Sequence, residues 1–325
     1  MAMSVFNLKN LTFSLKSALV IIILFLIYNE IKGYTLNIEN FKENFNYFYF
    51  FIALFFFIFT QLIGSYIIFL VLKMVVKVKL LHILRIIFTG QFFDYIPFFG
   101  IAYKAKKFKD DLKFSYKRFV SSYIILLQVG LLTISLALCL LYFLPIENFV
   151  NINLKIFYLF FLFFLFSVFF IIFYKKIYYC FIKKFFFISI FKKKINLFSI
   201  FLSYFYLLRR SLSKNYYFLR FIFYDYFAHV TYFFCFLFVF KTYGIEINFI
   251  EVLFIYFVFS FSTQFKILPK NYGVDELVGS YLIQLSSGSF VLGLAVMITI
   301  RLISLISTLF LFIMFNVILK NNIKH

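Results

Sequence analysis

The stretch KILPKNYGVDELVGS, residues 266–280, decides how the chain folds. Apolar sequence lies on both sides of it, yet it holds Pro269, Gly273, Gly279, two lysines and the carboxylates of Asp275 and Glu276. A proline ends an incoming helix and a glycine accepts a positive-φ turn. The spacing therefore predicts a break, then a new helix over GVDELVGSYLIQL with both acids in its first turn, where the helix dipole favours them. Backbone opened at such a break needs hydrogen-bond partners, and at membrane depth only protein or trapped water supplies them.

The solvent around this break is lipid. The chain has 325 residues, 65% of them hydrophobic, with a mean hydropathy of +1.00, whereas a globular chain averages only about half apolar residues. The net charge of +21 comes from 33 Lys and Arg against 12 Asp and Glu. In a membrane protein such an excess marks loops held at the cytoplasmic face rather than nucleic-acid binding. The 59 Phe accompany many Ile, Lys, Asn and Tyr, a compositional bias that needs no ligand to explain it. Cys139, Cys180 and Cys235 stand alone, which suggests neither a disulfide framework nor a zinc site. The opening residues place Lys9 and Lys16 before an apolar run with no small-residue cleavage motif after it, so they read as a retained helix.

A crossing helix needs about 20 apolar residues. On that measure spans are predicted near 14–29, 47–72, 118–144, 155–174, 218–240 and 249–267, with a long apolar stretch at 290–319. The segments 81–96 and 274–287 adjoin Pro or Gly and are too short or too polar to cross alone. The fold class is thus all-α: a polytopic integral membrane protein of seven to eight transmembrane helices with two Pro/Gly-broken hairpins, either re-entrant or crossing. It forms one transmembrane domain over 1–325 with no soluble catalytic domain. Residues 175–220 carry eight Lys and three Arg and no acid, so that loop, the N-terminus and the tail are assigned to the cytoplasmic side of an inner membrane. Within it, 175–217 interleaves cations with aromatic residues, as an interfacial helix does.

Several polar residues sit in the apolar frame. Arg301 lies well inside 290–319 and needs an anionic partner; Glu276 is the nearest acid in sequence, and a lipid phosphate fits the guanidinium fork. For Glu276 the alternative role is a helix cap. A second break, DYIPFFGIAYKAKKFK (94–109), carries Asp94, Pro97, Gly100 and Lys104. Paired interrupted segments in the two halves of a chain point to a central binding site. Asp225 and His229 share a helix face at i, i+4, either as a proton relay or as a helix-packing pair. Asp110 and Asp111, flanked by lysines, read as a solvated loop. No metal site and no cofactor are expected, since His82 and His325 lack companions and no nucleotide-binding or metalloprotease motif occurs.

These motifs resemble a known family. Pro269, Gly273, Glu276 and Arg301 are similar in order and spacing to the C-terminal signature of the lysylphosphatidylglycerol synthase transmembrane region, a flippase-like family. Pro97 and Gly100 resemble its first motif, with Ile101 standing at the position of an acid and Lys104 at that of an arginine. The resemblance implies a protein that handles an anionic phospholipid or a polyprenyl-phosphate-linked lipid. On this reading Glu276, Arg301, Lys104 and Asp94 are expected to bind lipid, and Pro97, Gly100, Pro269 and Gly273 to shape the cavity. The full synthases carry a soluble aminoacyltransferase domain after this region, and here His325 follows the last helix, so lipid transport is expected rather than aminoacyl transfer. The other readings are a membrane-embedded glycosyltransferase using outward acids such as Glu39, Glu147 and Glu246, or a non-catalytic partner of a cell-envelope biosynthesis enzyme.

Overall fold

The computed structural model describes residues 45–95, 99–143, 154–177, 179, 195–213, 216–265, 271 and 273–318. The predicted first span at 14–29, Pro97, Pro269, Glu39 and Glu147 lie outside them. Among the described residues every regular element is a helix. In chain order these are α1 (Tyr47–Lys73), α2 (Leu80–Phe93), α3 (Phe99–Leu112), α4 (Tyr116–Leu141), α5 (Leu154–Ile172), α6 (Ile195–Ser213), α7 (Tyr217–Thr242), α8 (Phe249–Gln264), α9 (Val274–Ser287) and α10 (Phe290–Ile313). A π-helical turn, Met314–Ile318, continues α10.

Four of these are long and apolar enough to cross a membrane: α1, α4, α7, and α10 with its π turn. Their ends follow from local chemistry. Asn46 caps α1 by accepting from the Phe48 N–H, Ser115 caps α4, and Ser289 caps α10. Gly288, at φ 73°, closes α9 with its N–H on Gln284 O, the left-handed end that glycine accepts without a Cβ penalty.

α1 and α7 form the central antiparallel pair, the most extensive helix contact in the protein. Asn46 N–H donates to Thr242 O at one end, the Thr60 and Thr231 hydroxyls meet at 2.8 Å in the middle, and the Tyr66 and Tyr224 rings pack at the other end. Each partner is followed by a hairpin of short helices and then a crossing helix: α1, α2–α3, α4 in the first half, and α7, α8–α9, α10 in the second. The packing repeats as well. α2 lies on α10, the closing helix of the other half, and α8 lies on α4.

The hairpins enter from opposite ends of α10. α9 runs antiparallel along its N-terminal half: the Tyr281 ring packs at a tilt against Phe290, Gly279 abuts Met297, and Glu276 meets Arg301. α2 runs antiparallel along its C-terminal half: Arg85 bonds Asn316, Phe88 stacks on Phe315, Phe92 on Phe312, and the Tyr95 hydroxyl reaches Ser304. The two tips therefore arrive within one turn of each other on α10. Arg301 lies about 17 Å past Phe290 and about 26 Å before Ile318 at 1.5 Å per residue, well inside a bilayer core of about 30 Å.

The second hairpin revises one expectation. The sequence reading takes 249–267 as a crossing in its own right. In the structure α8 is a 16-residue arm whose start is tied to the far end of α9 by the Ser286 hydroxyl on Glu251. α8 and α9 therefore pack side by side as one antiparallel hairpin, the geometry of a segment that enters and returns on one side. Likewise Asp110 and Asp111 lie in the last turn of α3 rather than in a loop, and His82 sits 3.5 Å from Asp111.

Helix association in lipid relies on close packing, because lipid tails are as apolar as the side chains. Gly293 allows it here: a Cβ there would lie 2.6 Å from Ser280 O and 2.8 Å from Ser280 Cα on α9. Gly293→Ala is expected to lower unfolding stability in detergent by about 1–3 kcal/mol. Gly64→Ala, at a helical glycine with open space around it, is expected to leave stability unchanged or to raise it by up to about 1 kcal/mol. The paired-arm topology makes a second prediction. Single cysteines replacing Glu246 and Gly288, in a background without native cysteines, should react with an impermeant maleimide from one side of sealed vesicles. Replacements at Val78 and Lys113 should react from the other side, and labelling of positions 246 and 288 from opposite sides would show that the hairpin crosses.

Candidate functional site

The tips bring together Arg301, Glu276 and Asp275 at the second break and Lys104 and Asp94 at the first. Arg301 Nε donates to Glu276 Oε1 at 2.5 Å and a terminal guanidinium nitrogen donates to Asp275 Oδ2 at 2.9 Å. The same nitrogen reaches Asn271 O at 3.4 Å. One planar fork thus holds two neighbouring carboxylates and the backbone of the hairpin turn, a geometry that lysine cannot reproduce. Glu276 serves both roles considered for it, because its second oxygen accepts the Gly273 N–H at 2.7 Å and caps α9. Gly273, at φ 79°, supplies the positive-φ turn into the helix.

The first hairpin carries its own ion pair, with the acid in a different place from the family pattern. Lys104 Nζ donates to Asp94 Oδ2 at 2.7 Å. Ile101, at the position of the acid, is exposed. The carboxylate comes instead from the residue that ends α2. Two glycines make this possible: a Cβ on Gly90 would fall on the alkyl stem of Lys104, and one on Gly100 would fall on Asp94 and on Gly90 O. The lysine reaches its partner by lying along the bare face of α2.

The two pairs differ in which partner faces outward. Arg301 has a side-chain exposure of 25%, against 12% and 13% for Asp275 and Glu276. At the first tip Lys104 is 7% exposed and Asp94 22%. The more exposed partner is thus the guanidinium of α10 at the second tip and the carboxylate that ends α2 at the first. The N-termini of α3 and α9 also end at this level, and their dipoles favour negative charge.

Asp225 and His229 lie on α7 and make no direct contact with the two ion pairs among the described residues. Asp225 Oδ2 accepts from the Thr133 hydroxyl of α4 at 2.5 Å, and His229 Nδ1 meets the Tyr256 hydroxyl of α8 at 2.7 Å. Their mutual approach is longer, 3.7 Å, so each side chain is directed chiefly at a neighbouring helix.

Comparison with known proteins adds one finding. Residues 13–311 match the family model of the lysylphosphatidylglycerol synthase TM region. The chain belongs to that family. The match to the lysylphosphatidylglycerol synthase TM region takes in both hairpins and the ion pairs at their tips. No curated protein and no solved structure matches the chain.

Sequence reasoning places Glu276, Arg301, Lys104 and Asp94 in the site, and the structure brings them to two adjoining tips. It misses Asp275 as an Arg301 partner, although two acids in succession beside a planar five-donor side chain were a usable signal. It also misses Tyr95 and Ser304, and the contacts of Arg85 and Thr89 with Asn316 on the π turn. No sequence signal foretells these, because they depend on how the hairpin lies along α10.

The clamp has a thermodynamic signature. Arg301→Gln strands two carboxylates and is expected to cost about 2–3 kcal/mol, toward the low end for a broken pair because the guanidinium is partly exposed. Glu276→Gln leaves Asp275 on the guanidinium and an acceptor for the Gly273 N–H, so about 1 kcal/mol is expected. Unfolding in mixed micelles should show the double variant less destabilised than the two singles added together. Gly90→Ala should break the Lys104–Asp94 pair without touching either charge.

Proposed function

We propose that this protein binds an anionic phospholipid or a lipid-linked phosphate intermediate and carries its headgroup across the membrane past the adjoining hairpin tips. The observation that carries this reading is the entry of two broken hairpins from opposite ends of α10, with their charged tips side by side at mid-depth. Transporter folds built from inverted repeats place their substrate at such a point, reached alternately from either side. The exposed guanidinium of Arg301 receives the phosphate, and Asp275 and Glu276 hold it in place while the site is empty. Asp94 faces any positive group on the headgroup, and Lys104 contacts phosphate only by releasing Asp94.

The basic ends of the bundle support a cytoplasmic assignment for the α1–α2 and α3–α4 turns and for the end of α10, in the inner membrane of a bacterium. A third of α1 and less than half of α10 are buried within the protein along their most apolar windows. That leaves broad surfaces for lipid to approach along these helices.

The test is transbilayer movement of fluorescent phosphatidylglycerol, and of a polyprenyl-phosphate probe, in proteoliposomes. Wild type is expected to accelerate at least one probe. Arg301→Gln is expected to slow it roughly tenfold or more, the loss for one charge-assisted contact, with monodispersity confirming the fold. No acceleration of either probe by wild type would overturn the reading.

A further inference from the structure

A second polar region lies far from the hairpin tips, where α5 ends and α4 begins. α6 packs one face on α4, burying Tyr204, Leu207, Leu208 and Ser211, with the Ser121 hydroxyl on Ile200 O and the Tyr204 hydroxyl on Gln128. Its other face carries Tyr206, which stands between two recesses. One, of about 250 Å³, is lined by Tyr174, Lys175, Tyr179, Phe205, Tyr206 and Arg209. The other, of about 300 Å³, has Lys117, Arg118, Ser199 and Ser203 in its wall, together with Tyr206.

Three observations give this double recess a chemistry. Each lobe carries two cations, and neither wall includes an acid among the described residues; residues 175–220 contain no acid at all. Arg210 donates to the Tyr206 hydroxyl at 2.7 Å, so the hydroxyl's own hydrogen is directed away from Arg210. Ser203 Oγ, in the wall of the second lobe, is buried with no hydrogen-bond partner among the described residues, a state that costs free energy unless a ligand or water completes it. Cations with hydroxyl donors, set among aromatic rings at the end of a membrane bundle, match a phosphate carried at the headgroup level.

We infer that the recess on either side of Tyr206 binds a phosphate-bearing headgroup, with Lys175 and Arg209 in one lobe and Lys117 and Arg118 in the other. The site is separate from the hairpin tips, and its occupancy does not require transport. Two lobes sharing one hydroxyl suit a headgroup with two phosphates, or two lipids side by side.

The experiment is native mass spectrometry of the full chain from phosphatidylcholine nanodiscs doped with phosphatidylglycerol, counting retained anionic lipid. Lys175→Gln/Arg209→Gln and Lys117→Gln/Arg118→Gln are each expected to reduce retention at the recess by about thirtyfold, as removal of two cations near a lipid surface implies. Lys106→Gln/Lys109→Gln, at two exposed cations of α3, should leave it unchanged. Equal loss in all three variants, or loss in none, overturns the inference. Glycerol 3-phosphate added before release identifies the source: displacement of the lipid supports a soluble phosphate as occupant, and retention supports the lipid. The same variants retain the Glu276–Arg301 clamp, so a failure here is distinguishable from a failure of the transport assay.

Discussion

A guanidinium at the middle of a 28-residue apolar helix cannot be left to lipid, and much of the architecture follows from supplying its partners. Carboxylates must reach mid-depth, and they arrive most economically on the first turn of a helix that starts there. Such a start requires the preceding helix to end at the same depth, which is the work of the turn before Gly273. The backbone groups freed at that turn are then answered by the same residues: Glu276 accepts the Gly273 N–H, and Arg301 reaches Asn271 O. Clamp, cap and turn are one interaction set, consistent with the rule that irregular backbone survives in a membrane only where protein satisfies it.

The first hairpin solves the same problem with different parts. A lysine replaces the arginine fork, a single carboxylate replaces two, and the acid sits on the helix that ends at the tip rather than on the one that begins there. Gly90 compensates by letting the lysine stem lie against the backbone of α2. The two halves therefore share topology without sharing residues. The shared α1–α7 seam, and the packing of each hairpin on the other half's closing helix, argue that the arrangement is a pseudo-twofold one.

In this member of the lysylphosphatidylglycerol synthase TM region family, two groups of charges are held in contrasting ways. One group is at the pair of hairpin tips at mid-depth, where charges are held by each other. The other group is in the recess around Tyr206, whose walls carry four cations and, among the described residues, no acid. The contrast has a physical basis: at mid-depth an unpaired charge is costly, whereas at the headgroup level water and anionic lipid screen it.

Composition and hydropathy were enough to establish the solvent, the helical class and the positions of most helices, because a bilayer leaves few backbone solutions and demands long apolar runs. The two breaks were legible for the same reason: Pro, Gly and carboxylates are expensive in such runs and stand out from them. Tertiary structure decided the rest. That 249–264 pairs with 274–287 as one antiparallel hairpin depends on packing between the two helices, which hydropathy does not encode. That Lys104 pairs with Asp94, and that Asp275 joins Glu276 on Arg301, depends on helix phase and on glycine gaps across residues far apart in sequence. That the two tips meet on α10 arises from the packing of one half against the other, a long-range property of the folded chain that no local pattern carries.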